Sequence, residues 1–176
     1  MPRIPYLPAD TTEPPAIVDA IRQRRGGELL ELDRMLLHSP PFADGWNALL
    51  TEVRGKLSLP GRLRELVICA VAALNGADYE LLHHGPVFLE VGGSEAQLTA
   101  LHRLGEPSWN DSVFSDADRA VIRFTLEVTR EVRPSEQAFA AARAVLEDDR
   151  QMVELAGLIG TYNMVSRFLV ALGVGE

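Results

Sequence analysis

The chain has 176 residues, of which 47% are hydrophobic and 24% are charged, so it is long enough to bury a globular core. Its net charge of −8 argues against a nucleic-acid partner, because no basic surface is available to neutralise phosphates. The single cysteine, Cys69, excludes an intrachain disulfide and a cysteine-based zinc site.

No part of the sequence has the pattern of a targeting or membrane-spanning segment. Residues 1–10 contain three prolines and lack the apolar stretch of a signal peptide. No uninterrupted apolar run reaches the length of about 18 residues that a bilayer span needs. We therefore expect a cytoplasmic protein without a membrane partner.

Helix signals follow one another along the chain and predict an all-α fold, a single-domain bundle of about eight or nine helices. Residues 1–14 are rich in proline and are expected to form an extended arm, whereas residues 15–176 form one helical domain. Apolar residues recur at helical spacing, and no window shows sustained alternation. The predicted helices begin at or near Pro15, Glu28, Pro40, Ser58, Tyr79, Ser94, Asp116, Pro134 and Asp149.

Short polar side chains before four of these helices are predicted N-caps. Ser58 and Asp78 precede two of them, and Ser94 begins a capping box with Gln97. Ser115 begins a similar box in which an Asp replaces the usual Glu. Residues 105–112 are predicted to form a loop.

Side chains that handle protons concentrate between Glu65 and His84. Glu65 precedes nine consecutive apolar residues in one predicted helix, which we therefore expect to be buried. In the next helix, Glu80 and His84 are four residues apart, as are Tyr79 and His83, so each pair shares a helix face. Histidine can gain or lose a proton near neutral pH, and a carboxylate can fix its tautomer. The pattern is typical of a general acid–base site.

The same residues are also compatible with structural roles. A Glu–His pair at this spacing is commonly a solvated surface pair, and Glu65 can form an ion pair with Arg62 or Arg64. Cys69, between apolar neighbours, is expected to be an inert core residue. Adjacent histidines point about 100° apart on a helix, and H-E-x-x-H is absent, so no metal site is expected.

One stretch of the sequence, at residues 59–104, carries a family resemblance. It contains R-E-L-V-I-C-A-V-A-A-L-N-G-A-D-Y-E-L-L-H-H, then F-L-E-V-G-G and S-E-A-Q-L-T-A-L. These residues resemble the carboxymuconolactone decarboxylase and alkylhydroperoxidase D-like family, and the resemblance continues more loosely to T-Y-N-M-V-S-R-F-L near the end. It implies an all-helical fold and assembly into homotrimers or hexamers, with a site near a subunit boundary.

The resemblance also shows where this chain departs from the family. The alkylhydroperoxidase branch carries C-x-x-C-x-x-x-H preceded by a Glu, and here Glu65 and His84 match while Ala77 and Glu80 occupy the cysteine positions. Without a dithiol, peroxide reduction by thiol–disulfide exchange cannot run. The decarboxylase branch instead has a Glu and a His where this chain has Glu80 and His84. The neighbouring residues and the E-V-G-G turn differ from that branch, which indicates a subgroup with a substrate of its own.

The resemblance implies a lyase that needs no cofactor and acts on a small organic acid or a carboxylated lactone. In this hypothesis His84 donates the proton and Glu80 orients the His84 ring. Glu65 is a second carboxylate in the proton relay. Tyr79 donates a hydrogen bond to the developing oxyanion, and His83 binds the substrate carboxylate.

A non-catalytic oligomeric binding protein that keeps the family fold is the alternative. Burial of the proton-handling residues together would favour the enzyme, whereas their exposure and separation would favour the binding protein. The last predicted helix is apolar on most faces, which favours association. Its polar exceptions are Tyr162, Asn163 and Arg167. The last two share a face and either close the site or subunit contact, or satisfy buried backbone carbonyls.

Overall fold

The structure is a computed structural model that describes residues 1–106, 109 and 111–175. These residues contain nine α-helices and no strand, which confirms the predicted all-α class. The helices are α1 (Pro15–Arg25), α2 (Glu31–Leu36), α3 (Pro40–Gly55), α4 (Gly61–Asn75), α5 (Asp78–Glu90), α6 (Glu95–His102), α7 (Asp116–Glu131), α8 (Glu136–Val145) and α9 (Asp149–Leu172). Part of the predicted loop, at Pro107, Ser108 and Asn110, lies outside the described residues.

The chain divides into two compact units. The first comprises Met1–Leu57 and the residues from Leu169 on, and the second comprises Ser58–Phe168. In the first unit, α1 begins at Pro15 and ends at Gly26, whose φ of 86° is the left-handed conformation that glycine adopts without strain.

Residues 1–14, predicted as an extended arm, contain no helix and are bonded within the first unit. Arg34 donates from Nε to the carbonyl oxygen of Leu7 at 2.5 Å, and the ring of His38 donates to that of Pro5 at 2.8 Å. Because these two backbone carbonyls lie outside any helix, they accept hydrogen bonds from side chains instead of from the backbone of a helix.

The core of the second unit is built around α4. From Leu66 to Ala72 every residue is at most 1% exposed, because α5, α6 and α7 all pack against this helix. The apolar run after Glu65 predicts this burial on all faces. Within the second unit, Leu155 and Leu158 of α9 are also fully buried.

By length and composition, α9 is the one described helix that would suit a membrane span. Half of its most apolar window is buried within the protein. The predicted absence of a long apolar stretch therefore holds for uninterrupted runs but not for average hydropathy.

Two of the predicted N-caps are confirmed and two are wrong. Ser94 and Ser115 accept hydrogen bonds from the backbone N–H groups of Gln97 and Asp118, as capping boxes require. Asp78, in contrast, is the first residue of α5 and caps nothing. Ser58 lies before Pro60, the residue that precedes α4, and its side chain does not cap that helix.

A distant carboxylate takes the place of the predicted Ser58 cap. Glu154 of α9 accepts hydrogen bonds from the backbone N–H and hydroxyl of Ser58 at 2.7 and 2.8 Å, and from the N–H of Leu59 at 3.2 Å. Burial opposes ionisation of Glu154, but these bonds and one from Arg150 outweigh it and lower the pKa of the carboxyl. The entry to α4 is thus fixed by α9 rather than by a local cap.

Candidate active site

The turn between α4 and α5 brings the predicted site residues together. Gly76 ends α4 in the left-handed conformation, with φ of 65°, and its N–H bonds back to the last turn of the helix. The chain restarts as α5 only two residues later, so the two helices pack against each other. As a result, Glu65 near the start of α4 meets His84 in the middle of α5.

Three side chains form the centre of the site, and we call Glu65, His84 and Glu80 the Glu–His–Glu cluster. His84 Nδ1 lies 2.6 Å from Oε2 of Glu65, and His84 Nε2 lies 3.4 Å from Oε2 of Glu80. Their side chains are only 4–6% exposed. The pairs are therefore buried, and the solvated surface arrangement considered for them does not occur.

The distances assign different parts to the two carboxylates. The contact of 2.6 Å is a hydrogen bond, and an ionised Glu65 accepts it from Nδ1–H of His84. The longer contact at Nε2 accommodates one further proton, carried either by His84 or by Glu80. A cluster in which one nitrogen is fixed and the other faces a second carboxylate at 3.4 Å is suited to proton transfer.

An aromatic residue of α9 closes the cluster on another side. The ring of Tyr162 stands edge-on to the ring of His84, with the centroids 5.3 Å apart, and Tyr162 is 2% exposed. Spacing along α5 does not predict this contact, because the two residues are far apart in sequence. The available signal was that Tyr162 interrupts an otherwise apolar helix.

The other two predicted site residues lie on a more exposed side of α5. The rings of Tyr79 and His83 are 4.3 Å apart at 37°, and Nδ1 of His83 donates to the backbone carbonyl of Tyr79 at 2.8 Å. His83 is exposed and Tyr79 is half-buried. The structure thus brings Glu65, Glu80 and His84 together and leaves Tyr79 with His83 as a separate ring pair.

Cys69 is buried beside the cluster, in surroundings that disfavour its thiolate. Its side chain is fully buried, and burial raises the pKa of the thiol to about 12. The negative charges of Glu65 and Glu80 act in the same direction. Because the thiolate is the reactive form, Cys69 is inert at neutral pH.

The arginines near Glu65 have other main partners or only a distant contact with it. Arg62 forms a two-pronged ion pair, at 2.8 and 3.0 Å, with Asp118, which belongs to the capping box of α7. Arg64 Nε is 3.9 Å from Oε1 of Glu65, too far for a hydrogen bond. The imidazole of His84 is therefore the close partner of Glu65.

Asn163 and Arg167 satisfy polar groups within the second unit. Asn163 donates to the hydroxyl of Thr129 at 3.1 Å and to the carbonyl of Ile159 at 3.0 Å. Its oxygen accepts from Arg167 at 2.5 Å and from Asn75 at 3.1 Å. This network links α4, α7 and α9, so of the two roles considered for these residues the bonds support the structural one.

In the part of the chain that the structure describes, no three side chains of His, Cys, Asp or Glu are arranged to hold a metal ion. The groups that do converge are an imidazole and two carboxylates, which supply proton donors and acceptors. The protein is thus a small all-α protein with a buried cluster of proton-handling side chains.

The carboxymuconolactone decarboxylase family model matches residues 40–121. That segment contains the whole Glu–His–Glu cluster. No curated protein matches the chain. The match indicates that this segment is similar to the carboxymuconolactone decarboxylase family, although the chain lacks the C-x-x-C motif.

Several solved structures are similar over nearly the whole chain. A peroxidase-related protein from Silicibacter sp. TM1040 has a TM-score of 0.77 at 19% identity, covering 98% of this chain and 90% of its own. An alkylhydroperoxidase AhpD core protein from Ralstonia eutropha JMP134 has a TM-score of 0.77 at 18% identity, with the same coverage. The debrominase Bmp8, solved as a cysteine-to-alanine variant with 2,3,4-tribromopyrrole, has a TM-score of 0.75 at 14% identity, covering 96% and 89%. At these identities the likeness shows the fold alone.

Proposed function

We propose that this protein is an acid–base enzyme without a cofactor, a carbon–carbon lyase acting on a small organic acid or carboxylated lactone. The observation that carries this proposal is the buried contact of both nitrogens of His84 with carboxylates, at 2.6 and 3.4 Å. The match of residues 40–121 to the carboxymuconolactone decarboxylase family model supports the reaction class. A debrominase among the similar structures supports catalysis on this fold.

In the proposed reaction, the bond between the substrate's carboxylate and the adjacent carbon breaks and CO₂ leaves. The electron pair passes to a conjugated carbonyl oxygen, giving an enolate that then takes a proton on carbon from Nε2 of His84. Glu65 holds Nδ1–H and so fixes the ring, while Glu80 returns a proton from solvent to Nε2. The net change is loss of CO₂ and gain of one proton.

The unequal distances support a particular way for the substrate to approach. Because the cluster is only 4–6% exposed, a substrate reaches the ring only if a side chain moves. The contact of Glu80 with the ring, at 3.4 Å, is longer than that of Glu65, at 2.6 Å, and we propose Glu80 as the group that moves. On the more exposed side of α5, His83 would bind the substrate carboxylate and Tyr79 would donate to the oxyanion.

A panel of carboxylated lactones and β-keto acids tests this proposal. We expect the protein to release CO₂ from at least one of them, and in deuterium oxide the product should carry one deuterium at the carbon that lost CO₂. The assay combines CO₂ detection with mass spectrometry. Absence of CO₂ release across the panel, or release without deuterium uptake, would contradict the proposed chemistry.

We also propose that the protein acts in the cytoplasm as a homotrimer or hexamer. Val132 and Val153 are 83% and 72% exposed, beside an apolar cavity of about 710 Å³ lined by α7, α8 and α9. Such a surface supports self-association. Size-exclusion chromatography with light scattering should give a trimer or a multiple of it, and a persistent monomer would contradict this.

The same apolar surface is the observation that favours the second candidate, a non-catalytic oligomeric binding protein. Both candidates predict assembly, so assembly does not separate them. Turnover does, because the binding protein would assemble normally and release no CO₂ from any substrate in the panel.

A further inference from the structure

A pocket of about 420 Å³ in the first unit gathers positive charge. It is lined by Arg24, Arg25, Leu50, Thr51, Arg54 and Gly55, which include three arginines and no carboxylate. The arginines come from the ends of two helices, α1 and α3. We call this the arginine pocket. In a chain with a net charge of −8, such a lining is unexpected for a surface without a ligand.

Two of the three guanidinium groups are fixed in position by a buried carboxylate. Asp33 is fully buried and accepts hydrogen bonds from Nε and Nη2 of Arg25, each at 3.0 Å. Arg24 approaches Asp33 at 3.5 Å and donates from Nε to the side-chain oxygen of Asn47 at 2.5 Å. Since the arginine side chains are only 14% and 15% exposed, their orientation at the pocket is set before any ligand arrives.

Arg54 differs from the other two arginines. Within the described ranges it takes part in no hydrogen bond or ion pair, whereas nearby Lys56 pairs with Glu52 at 2.6 Å. A cation in the last turn of a helix interacts favourably with the helix dipole, which explains why Arg54 carries a positive charge. The dipole does not explain why Arg54 lines the same cavity as Arg24 and Arg25, from another helix.

Guanidinium groups bind carboxylate and phosphate oxygens through paired hydrogen bonds. Leu50 supplies an apolar wall, and the volume of about 420 Å³ falls within the range of small-molecule sites. We propose that the arginine pocket binds a small organic anion through a carboxylate or phosphate group, at a site separate from the Glu–His–Glu cluster. Arg54 closes on the anion, and Arg24 and Arg25 form the prepared side of the site.

Isothermal titration of the full chain with inorganic phosphate and, separately, with succinate tests this site. The two arms distinguish a phosphate group from a carboxylate. We expect at least one probe to bind, and Arg54→Gln to weaken that binding by about tenfold or more, because a charge-assisted bond is lost. Arg54→Lys keeps the charge without the paired geometry and should bind with intermediate affinity.

Lys56→Gln is the matched control, since it removes one positive charge near the same helix end without lining the pocket. It should change the affinity by less than about twofold. The thermal midpoint of Arg54→Gln without a probe should stay close to that of the parent, because Arg54 makes no bond among the described residues and only the small helix-dipole contribution is lost. Absence of binding by either probe, or equal weakening by Arg54→Gln and Lys56→Gln, would overturn the proposal.

Discussion

Two faces of α5 carry pairs of side chains at the same spacing, yet their surroundings differ. Glu80 and His84 are buried and meet Glu65 of α4, whereas His83 is exposed and its ring stacks on Tyr79. Spacing on a helix decides which side chains can meet. Packing against α4 decides which pair leaves water and gains a third partner, and electrostatic interactions are stronger there.

Among the substitutions on the two faces of α5, replacing His84 is expected to lower the rate of CO₂ release the most. His84→Gln keeps a polar side chain but cannot carry the proton, so the rate of CO₂ release should fall about 10²- to 10⁴-fold. His83→Gln on the exposed face is the matched control and should retain kcat while KM rises severalfold. Steady-state kinetics measure both, with circular dichroism to verify folding. Equal loss of kcat in the two variants would erase the proposed difference between the faces.

The two carboxylates of the cluster are expected to differ in the same assay. Glu65→Gln removes the 2.6 Å partner that orients the ring and should lower kcat about 100-fold. Glu80→Gln removes the 3.4 Å partner and should lower kcat only about tenfold. If Glu80→Gln proves the more damaging, the shorter contact is not the one that positions His84.

A substitution outside the Glu–His–Glu cluster can disturb the packing of the buried face of α5. A Cβ added at Gly93 would lie 2.5 Å from the ring of Phe88, which is fully buried four residues after His84. Gly93→Ala should therefore lower the free energy of unfolding by about 1–3 kcal/mol in urea denaturation.

Gly45→Ala serves as the control for that substitution. Gly45 lies inside α3 with nothing within 4 Å of an added Cβ, so this change should raise the free energy of unfolding by about 0.5–1 kcal/mol. A Gly93→Ala protein as stable as the parent would show that Phe88 adjusts freely and that the buried face is less rigid than its packing indicates.

Cys69→Ala should have the smallest effect, since the thiol is not used chemically. Turnover should be unchanged at neutral pH, and peroxide consumption should be equally low in the parent. The pKa of Cys69 is raised from 9.0 to about 12 in the folded protein, so its contribution to stability is complete below pH 9 and is lost as the pH rises from 9 towards 12.

Thermal midpoints of the parent and of Cys69→Ala, compared from pH 7 to pH 11, measure this loss. The parent should lose stability relative to the variant only above pH 9. A difference that stays constant with pH, or thiol labelling of the folded parent at neutral pH, would contradict the burial of Cys69 beside the carboxylates.

Local rules predicted the features that depend on neighbouring residues. The apolar run after Glu65 predicted a helix buried on all faces, and the Ser94 and Ser115 boxes predicted two helix starts. In each case the determining residues lie within a few positions of one another. The second predicted helix is shorter in the structure than its sequence pattern indicates. It was expected to begin near Glu28, and it comprises only Glu31–Leu36.

Contacts between distant parts of the chain were not predictable in the same way. The bond from Ser58 to Glu154 spans 96 residues, and it replaces the local cap expected for α4. The contact of Tyr162 with His84 depends on how α9 packs, which spacing within α5 does not encode. The pairing of Glu65 with His84 was suggested by family resemblance, since helix periodicity relates only residues of one helix.

A crystal structure with a saturated carboxylated γ-lactone, which cannot lose CO₂ through a conjugated carbonyl, tests the central claim most directly. The account predicts the lactone beside Nε2 of His84, with Glu80 displaced and the Nδ1 contact with Glu65 retained. A lactone bound elsewhere, with the Glu–His–Glu cluster unchanged, would contradict it.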